Sequence, residues 1–122
     1  MKFFAAYILP VFIWMAVIFY FSSLSSVGIS LEFDRGGISL HFLEYIILGF
    51  LSQRAFANSC LNYKWVSILF FSVATGIIYG ATDELHQSLV PNRSPSLADL
   101  AADSLGALAG SALYLARIKL GK

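Results

Sequence analysis

Between Phe3 and Phe21 the chain carries no charged residue. A helix of that length, at about 1.5 Å per residue, covers roughly 28 Å, close to the thickness of a bilayer's hydrocarbon core. The rest of the chain offers little in which such a segment could be enclosed. At 122 residues there is room for one domain. Of these residues 58% are hydrophobic and 12% charged, with a mean hydropathy of +0.75, whereas soluble domains are about 25% charged. A small soluble domain has too much surface for its volume to hide so much apolar area. Lipid is the solvent this composition fits. A cleaved signal peptide is the rival reading of the first run, since Lys2 precedes it and serines follow. The run is longer than a signal core, however, and Ser22 to Ser26 offers no small-x-small cleavage site of the alanine type.

Three further apolar runs follow, giving helices at about 3–21, 40–56, 65–87 and 97–116 in a single domain over 1–122. The expected fold is all-α: an integral membrane four-helix bundle, passing the membrane several times. The connector over 22–39 carries Glu32, Asp34, Arg35 and Gly36-Gly37, a mixture that belongs outside the bilayer. Pro91-Asn92-Arg93-Ser94-Pro95 must be a turn, because two prolines four apart interrupt a helix. Ser96 is placed to cap the last helix. Orientation follows from the basic residues. Lys2, Arg54, Lys64, Arg117, Lys119 and Lys122 fall on one side, and only Arg35 and Arg93 on the other. Both termini are therefore expected in the cytoplasm. The lone Cys60 permits no internal disulfide and reads as a loop residue. No basic tract points to nucleic acid.

The ionisable residues gather at the outer ends of three helices. His41, Glu44 and Tyr45 share a face of the second helix by their i, i+3, i+4 spacing. In the third, Gly76, Gly80, Asp83 and Gln87 form one stripe; in the fourth, Asp99, Asp103, Gly106 and Gly110 repeat the same offsets. The third and fourth helices are antiparallel, so their acids should meet at the outer end and their glycines deeper in. Ala102, Gly106 and Gly110 make a small-residue pattern that allows close backbone approach. Asp103 lies about 9 Å along its helix from Leu97. An aspartate facing lipid there costs at least a few kcal/mol, so it should face the interior with a partner, Arg93 or His41 first. Glu44, Asp83, Glu84, Asp99 and Asp103 against Arg93 give a formal charge of −4 (five acids, one guanidinium) with both histidines neutral. Protons or a bound cation must balance such a group.

Each of these residues also has a purely structural reading. His41 and His86 can bond carbonyls at helix ends, Asp99 suits a helix N-terminus, Glu84 lies about 100° around the helix from Asp83 and can be solvated, and Arg93 can anchor to headgroups. The glycines can serve packing alone. Their convergence on one face favours a functional pocket of His41, Glu44, Tyr45, Asp83, Glu84, His86, Gln87, Arg93, Asp99 and Asp103.

His41-Phe-Leu-Glu44-Tyr45, Asp83-Glu84-Leu-His86-Gln87, Pro91-Asn-Arg93, and Asp99 with Asp103 and Gly106-x-x-x-Gly110 together resemble the VanZ-like family. The resemblance covers roughly residues 12 to 116. Family members often carry Asp-Lys before the second-helix histidine, where Gly37-Ile38 stand here, and Pro-Gly-Arg where this chain has Pro91-Asn92-Arg93. The resemblance implies an envelope role, linked in the namesake to low-level teicoplanin resistance, and names no reaction. The expected partners are membrane lipids and a lipid-linked or cell-wall ligand, with a homodimer as a further option. Arg93 would pair with phosphate or carboxylate, and Asp83, Glu84, Asp99 and Asp103 with an ammonium group or a cation. No cofactor is expected; a divalent cation is compatible with the donors, but no signature such as His-Glu-x-x-His supports it. The alternatives are a metal-assisted membrane hydrolase or transferase, a small proton-coupled carrier, and an assembly subunit.

Overall fold

The computed structural model describes residues 1–25, 38–59 and 62–121. Glu32, Asp34, Arg35 and Cys60, for which the sequence places roles in connectors, lie outside the described residues. Among those described there are four long helices and no strand. The first opens as a π-helical turn, Phe4–Ile8, and continues as α1, Leu9–Ser22. The others are α2, Ile38–Ala57, α3, Trp65–Gln87, and α4, Leu97–Leu120. The last helix thus runs four residues past the expected Ala116. Ser96 caps α4, its Oγ accepting the N–H groups of Ala98 at 3.1 Å and Asp99 at 3.4 Å. Asn92 takes the left-handed conformation, φ 63°, that lets the α3–α4 turn close, one of the few non-glycine residues suited to it.

Phe4–Ser22 and Trp65–Gln87 are long and apolar enough to cross a membrane. α2 and α4 are of similar length, but polar side chains interrupt their apolar character: His41, Ser52 and Gln53 in α2, and Asp99, Asp103 and Ser111 in α4. These side chains face inward. Among the described residues eleven buried side chains are polar or charged and seven are hydrophobic, while Phe12, Ile13, Phe70, Ile78, Leu105 and Leu113 are more than 50% exposed. This reverses the polarity of a soluble core. It suits a membrane protein, in which lipid covers the apolar surface and polar groups must find partners within.

Small residues set the helix spacing. A Cβ on Gly106 would overlap the Phe42 carbonyl oxygen, one on Gly110 the Ile46 carbonyl oxygen, and one on Gly49 the Ala107 carbonyl oxygen. α2 and α4 are therefore packed backbone to backbone. The expected pairing of glycines between the third and fourth helices is corrected by this: Gly106 and Gly110 face α2. Gly76 and Gly80 do face α4, where they accommodate Ala107 and Asp103. Helical spacing fixes which residues share a stripe but not which neighbour the stripe meets. All four stripe glycines are buried within the chain.

The first helix is bound to this core through backbone carbonyls. Pro10 has no N–H to offer the Ala6 carbonyl four residues earlier, and Arg54 Nη1 donates to that oxygen at 3.0 Å. The same guanidinium lies 4.6 Å from the centre of the Tyr7 ring. Trp14 Nε1 donates to the Glu44 carbonyl at 2.8 Å, and Tyr79 OH to the Met15 carbonyl at 2.5 Å.

Alanine at Gly110 should lower the melting temperature of the detergent-solubilised chain. Overpacking costs about 1–3 kcal/mol, outweighing the roughly 1 kcal/mol that alanine gains over glycine as a helix former. An unchanged or raised melting temperature would show that α2 and α4 are not in backbone contact.

Candidate functional site

The ends of α2, α3 and α4 nearest the Pro91–Pro95 turn bring seven ionisable or amide side chains together. His41 lies in the first turn of α2 and Asp103 in the second turn of α4. Because Gly106 holds α4 against Phe42 and Tyr45, the two side chains meet, with His41 Nδ1 2.9 Å from Asp103 Oδ1. They are 5% and 0% exposed. Gly80 of α3 leaves the room Asp103 occupies: a Cβ there would sit 2.9 Å from Asp103 Oδ2 and 3.1 Å from its Cβ.

α3 contributes two adjacent carboxylates. Asp83 Oδ2 accepts a hydrogen bond from Gln87 Nε2 at 3.0 Å, one helical turn on. Glu84 Oε2 accepts the Ser96 backbone N–H at 2.8 Å. Glu84 is thus buried, not solvated, because the turn after α3 folds the chain back over it. The second oxygens, Asp83 Oδ1 and Glu84 Oε1, are buried without a hydrogen-bond partner among the described residues, as are Asp103 Oδ2 and Tyr45 OH. His41, Asp83 and Glu84 each offer a donor atom within 4.8 Å of the others. Glu44 is half-buried, three residues after His41 in α2. Asp99 is buried at the start of α4.

Two residues stand apart from this group. His86 is half-buried and turned toward the first helix, with Nε2 2.9 Å from Ser23 Oγ and its ring 4.4 Å from that of Phe19. Arg93 does not partner Asp103. Its Nε donates to the Leu24 carbonyl at 3.0 Å and its Nη2 to the Phe21 carbonyl at 3.4 Å. It thereby adds a donor to carbonyls at the end of α1, of which that of Phe21 also accepts the Leu24 N–H at 3.2 Å. Arg93 also lines a cleft of about 270 Å³ with Gln87, Asn92, Ser94, Ser96, Asp99 and Ile38. Gln87 and Ser96, in the cleft wall, are the same residues that hold Asp83 and Glu84.

Sequence reasoning missed the Ser96 N–H, Ile38 and Tyr79, whose ring centre lies 6.4 Å from that of Tyr45. Tyr79 stands four residues before Asp83, the same face of α3, so its spacing carried a signal. Chemically, the group supplies an imidazole nitrogen and carboxylate oxygens, a donor set able to hold a divalent cation. The cleft supplies a guanidinium and neutral polar groups suited to an anionic headgroup.

Removing either member of the His41–Asp103 pair should cost stability non-additively. In a double-mutant cycle of H41A and D103A, read by unfolding in mixed micelles, a coupling energy of about 1.5–3 kcal/mol is expected for a charge-assisted bond. Strict additivity would contradict the contact.

A model of the VanZ/LLP1 family matches residues 6–119. No curated protein and no solved structure gives a match.

Proposed function

The chain belongs to the VanZ/LLP1 family, and from that premise we propose that it is a four-pass membrane protein of the bacterial cell envelope that binds or modifies a lipid-linked or cell-wall ligand. In this reading both termini are cytoplasmic, and the Pro91–Pro95 turn and the polar ends of α2, α3 and α4 face outward. α2 and α4 join the two apolar helices in crossing the bilayer, because their polar side chains are turned inward and their outer faces carry Leu43, Ile47, Leu105 and Leu113. The six-to-two division of basic residues supports the orientation.

The observation that carries the proposal is the cleft of about 270 Å³ at the polar end, lined by Arg93, Gln87 and Asp99. Its size decides what enters. Pockets for drug-sized molecules run from roughly 300 to 1,000 Å³, so this cleft suits a headgroup and not a whole glycopeptide. Arg93 pairs with a phosphate or carboxylate of that headgroup, while Asp99 takes an amine or hydroxyl. Any effect on teicoplanin sensitivity then acts through the envelope target or access to it, not through capture of the drug.

A deletion strain complemented with wild-type protein, R93A or R93K tests this. Teicoplanin sensitivity and envelope lipid composition are measured alongside the protein level in the membrane. Deletion is expected to alter at least one of the two, and R93A to fail to restore it at normal protein level. R93K should restore it partly at most, since an ammonium cannot reproduce a bidentate fork. A deletion that changes neither property, or full complementation by R93A, would sink the proposal.

A further inference from the structure

We infer that His41, Asp83 and Glu84 form a binding site for one divalent first-row transition-metal ion, held in place by Asp103, Gln87 and Ser96. The argument lies in how the donors are used. Each of the three side chains spends one atom on the protein and carries a second donor atom. His41 Nδ1 is 2.9 Å from Asp103 Oδ1. Where the Asp103 carboxylate is ionised it only accepts, so Nδ1 carries the proton and Nε2 is the nitrogen through which the neutral imidazole would ligate a metal. Asp83 Oδ2 is bound by Gln87 and Glu84 Oε2 by the Ser96 N–H, leaving Oδ1 and Oε1 buried and without a partner among the described residues. The three residues are 5%, 4% and 7% exposed, and each offers one nitrogen or oxygen that lies within 4.8 Å of one from each of the others. Buried polar atoms normally have partners; two carboxylate oxygens left without one, beside an imidazole, point to a ligand.

The outer contacts have the form that metal sites use. A ligating histidine usually gives its other N–H to a carboxylate, which fixes its tautomer and orientation, and ligating carboxylates are themselves hydrogen-bonded. Here all three donors have such support, from three different parts of the chain: α4, the last turn of α3 and the cap of α4. The donor set also selects the ion. One imidazole with two carboxylates suits zinc, manganese or iron, whereas calcium and magnesium favour oxygen alone. Three protein donors leave coordination positions open to water or an incoming oxygen. Charge points the same way: a divalent ion takes the formal −4 of Glu44, Asp83, Glu84, Asp99, Asp103 and Arg93 to −2.

Metal binding is independent of the ligand proposed for the cleft. A chain that binds zinc but is fully complemented by R93A loses the ligand reading and keeps this one, and the reverse also holds.

The test uses the full chain in detergent, stripped with a chelator, then titrated with Zn²⁺ by calorimetry and assayed for retained metal after desalting. One zinc per chain is expected, with a rise in melting temperature on zinc addition. D83N and E84Q should each weaken binding at least about tenfold, and D103N by about 10–100-fold through its hold on His41. Bound Co²⁺ should give a visible absorption band that shifts in H41Q, and H86Q should bind as wild type does. Wild-type protein that retains no zinc overturns the site whatever the variants do. So does unchanged affinity in D83N/E84Q with a native circular-dichroism spectrum.

Discussion

The backbone contact between α2 and α4 is the constraint on which the rest of the structure depends. Within lipid there is no hydrophobic gain from bringing two apolar helices together, so association rests on close packing and on polar bonds between helices. Gly49, Gly106 and Gly110 permit an approach that any Cβ would block. The two helices run parallel, and their contacts advance together along the chain, from Gly106 beside Phe42 to Gly110 beside Ile46. That register sets Asp103 against His41 at one end. At the other, Ser111 Oγ donates to the Gly49 carbonyl at 3.2 Å and Asn58 Nδ2 to Tyr114 OH at 3.0 Å. α3 enters this pair through Gly76 and Gly80, and α1 is attached last, by side-chain donors reaching backbone carbonyls.

This order explains how one end of the molecule holds so many acids. A buried carboxylate is expensive unless it is bonded or balanced. Asp103 meets His41, Asp83 meets Gln87, and Glu84 meets the first backbone N–H of the α4 cap. Each contact fixes one oxygen of its acid. Among the described residues, the buried carboxylate oxygens left without a partner, Asp83 Oδ1, Glu84 Oε1 and Asp103 Oδ2, all belong to this one end. The structure thus orients its carboxylates at one end, the arrangement on which the proposed site rests.

Much of this was legible in the sequence, for reasons that are local. Apolar runs bounded by serines, prolines and charges gave the helices, Ser96 gave the cap, and Pro91 and Pro95 gave the turn. The burial of Asp103 followed from its depth along the helix, and His41 was one of two partners it allowed. Tertiary choices were not legible. The stripe of Asp99, Asp103, Gly106 and Gly110 was visible, but spacing carries no information on whether α2 or α3 lies opposite. Arg93 was read by its charge, whereas its position after the turn sends it to the carbonyl ends of α1. A helical wheel allowed Glu84 to be either in the pocket or solvated, and the chain that follows it covers it. The link from Arg54 to Ala6 depends on the donor Pro10 lacks, a local signal with a long-range reader.

The orientation proposed here puts Asn92 on the outer face of the membrane and Lys119 in the cytoplasm, with the acid cluster beneath the outer turn. Cysteines introduced singly by N92C and K119C, in a chain carrying C60S, report it directly when intact cells are treated with a membrane-impermeant maleimide. The cysteine of N92C should label in intact cells, and that of K119C only after lysis. Labelling of K119C in intact cells, with N92C protected until lysis, would turn the polar site toward the cytoplasm and contradict the account.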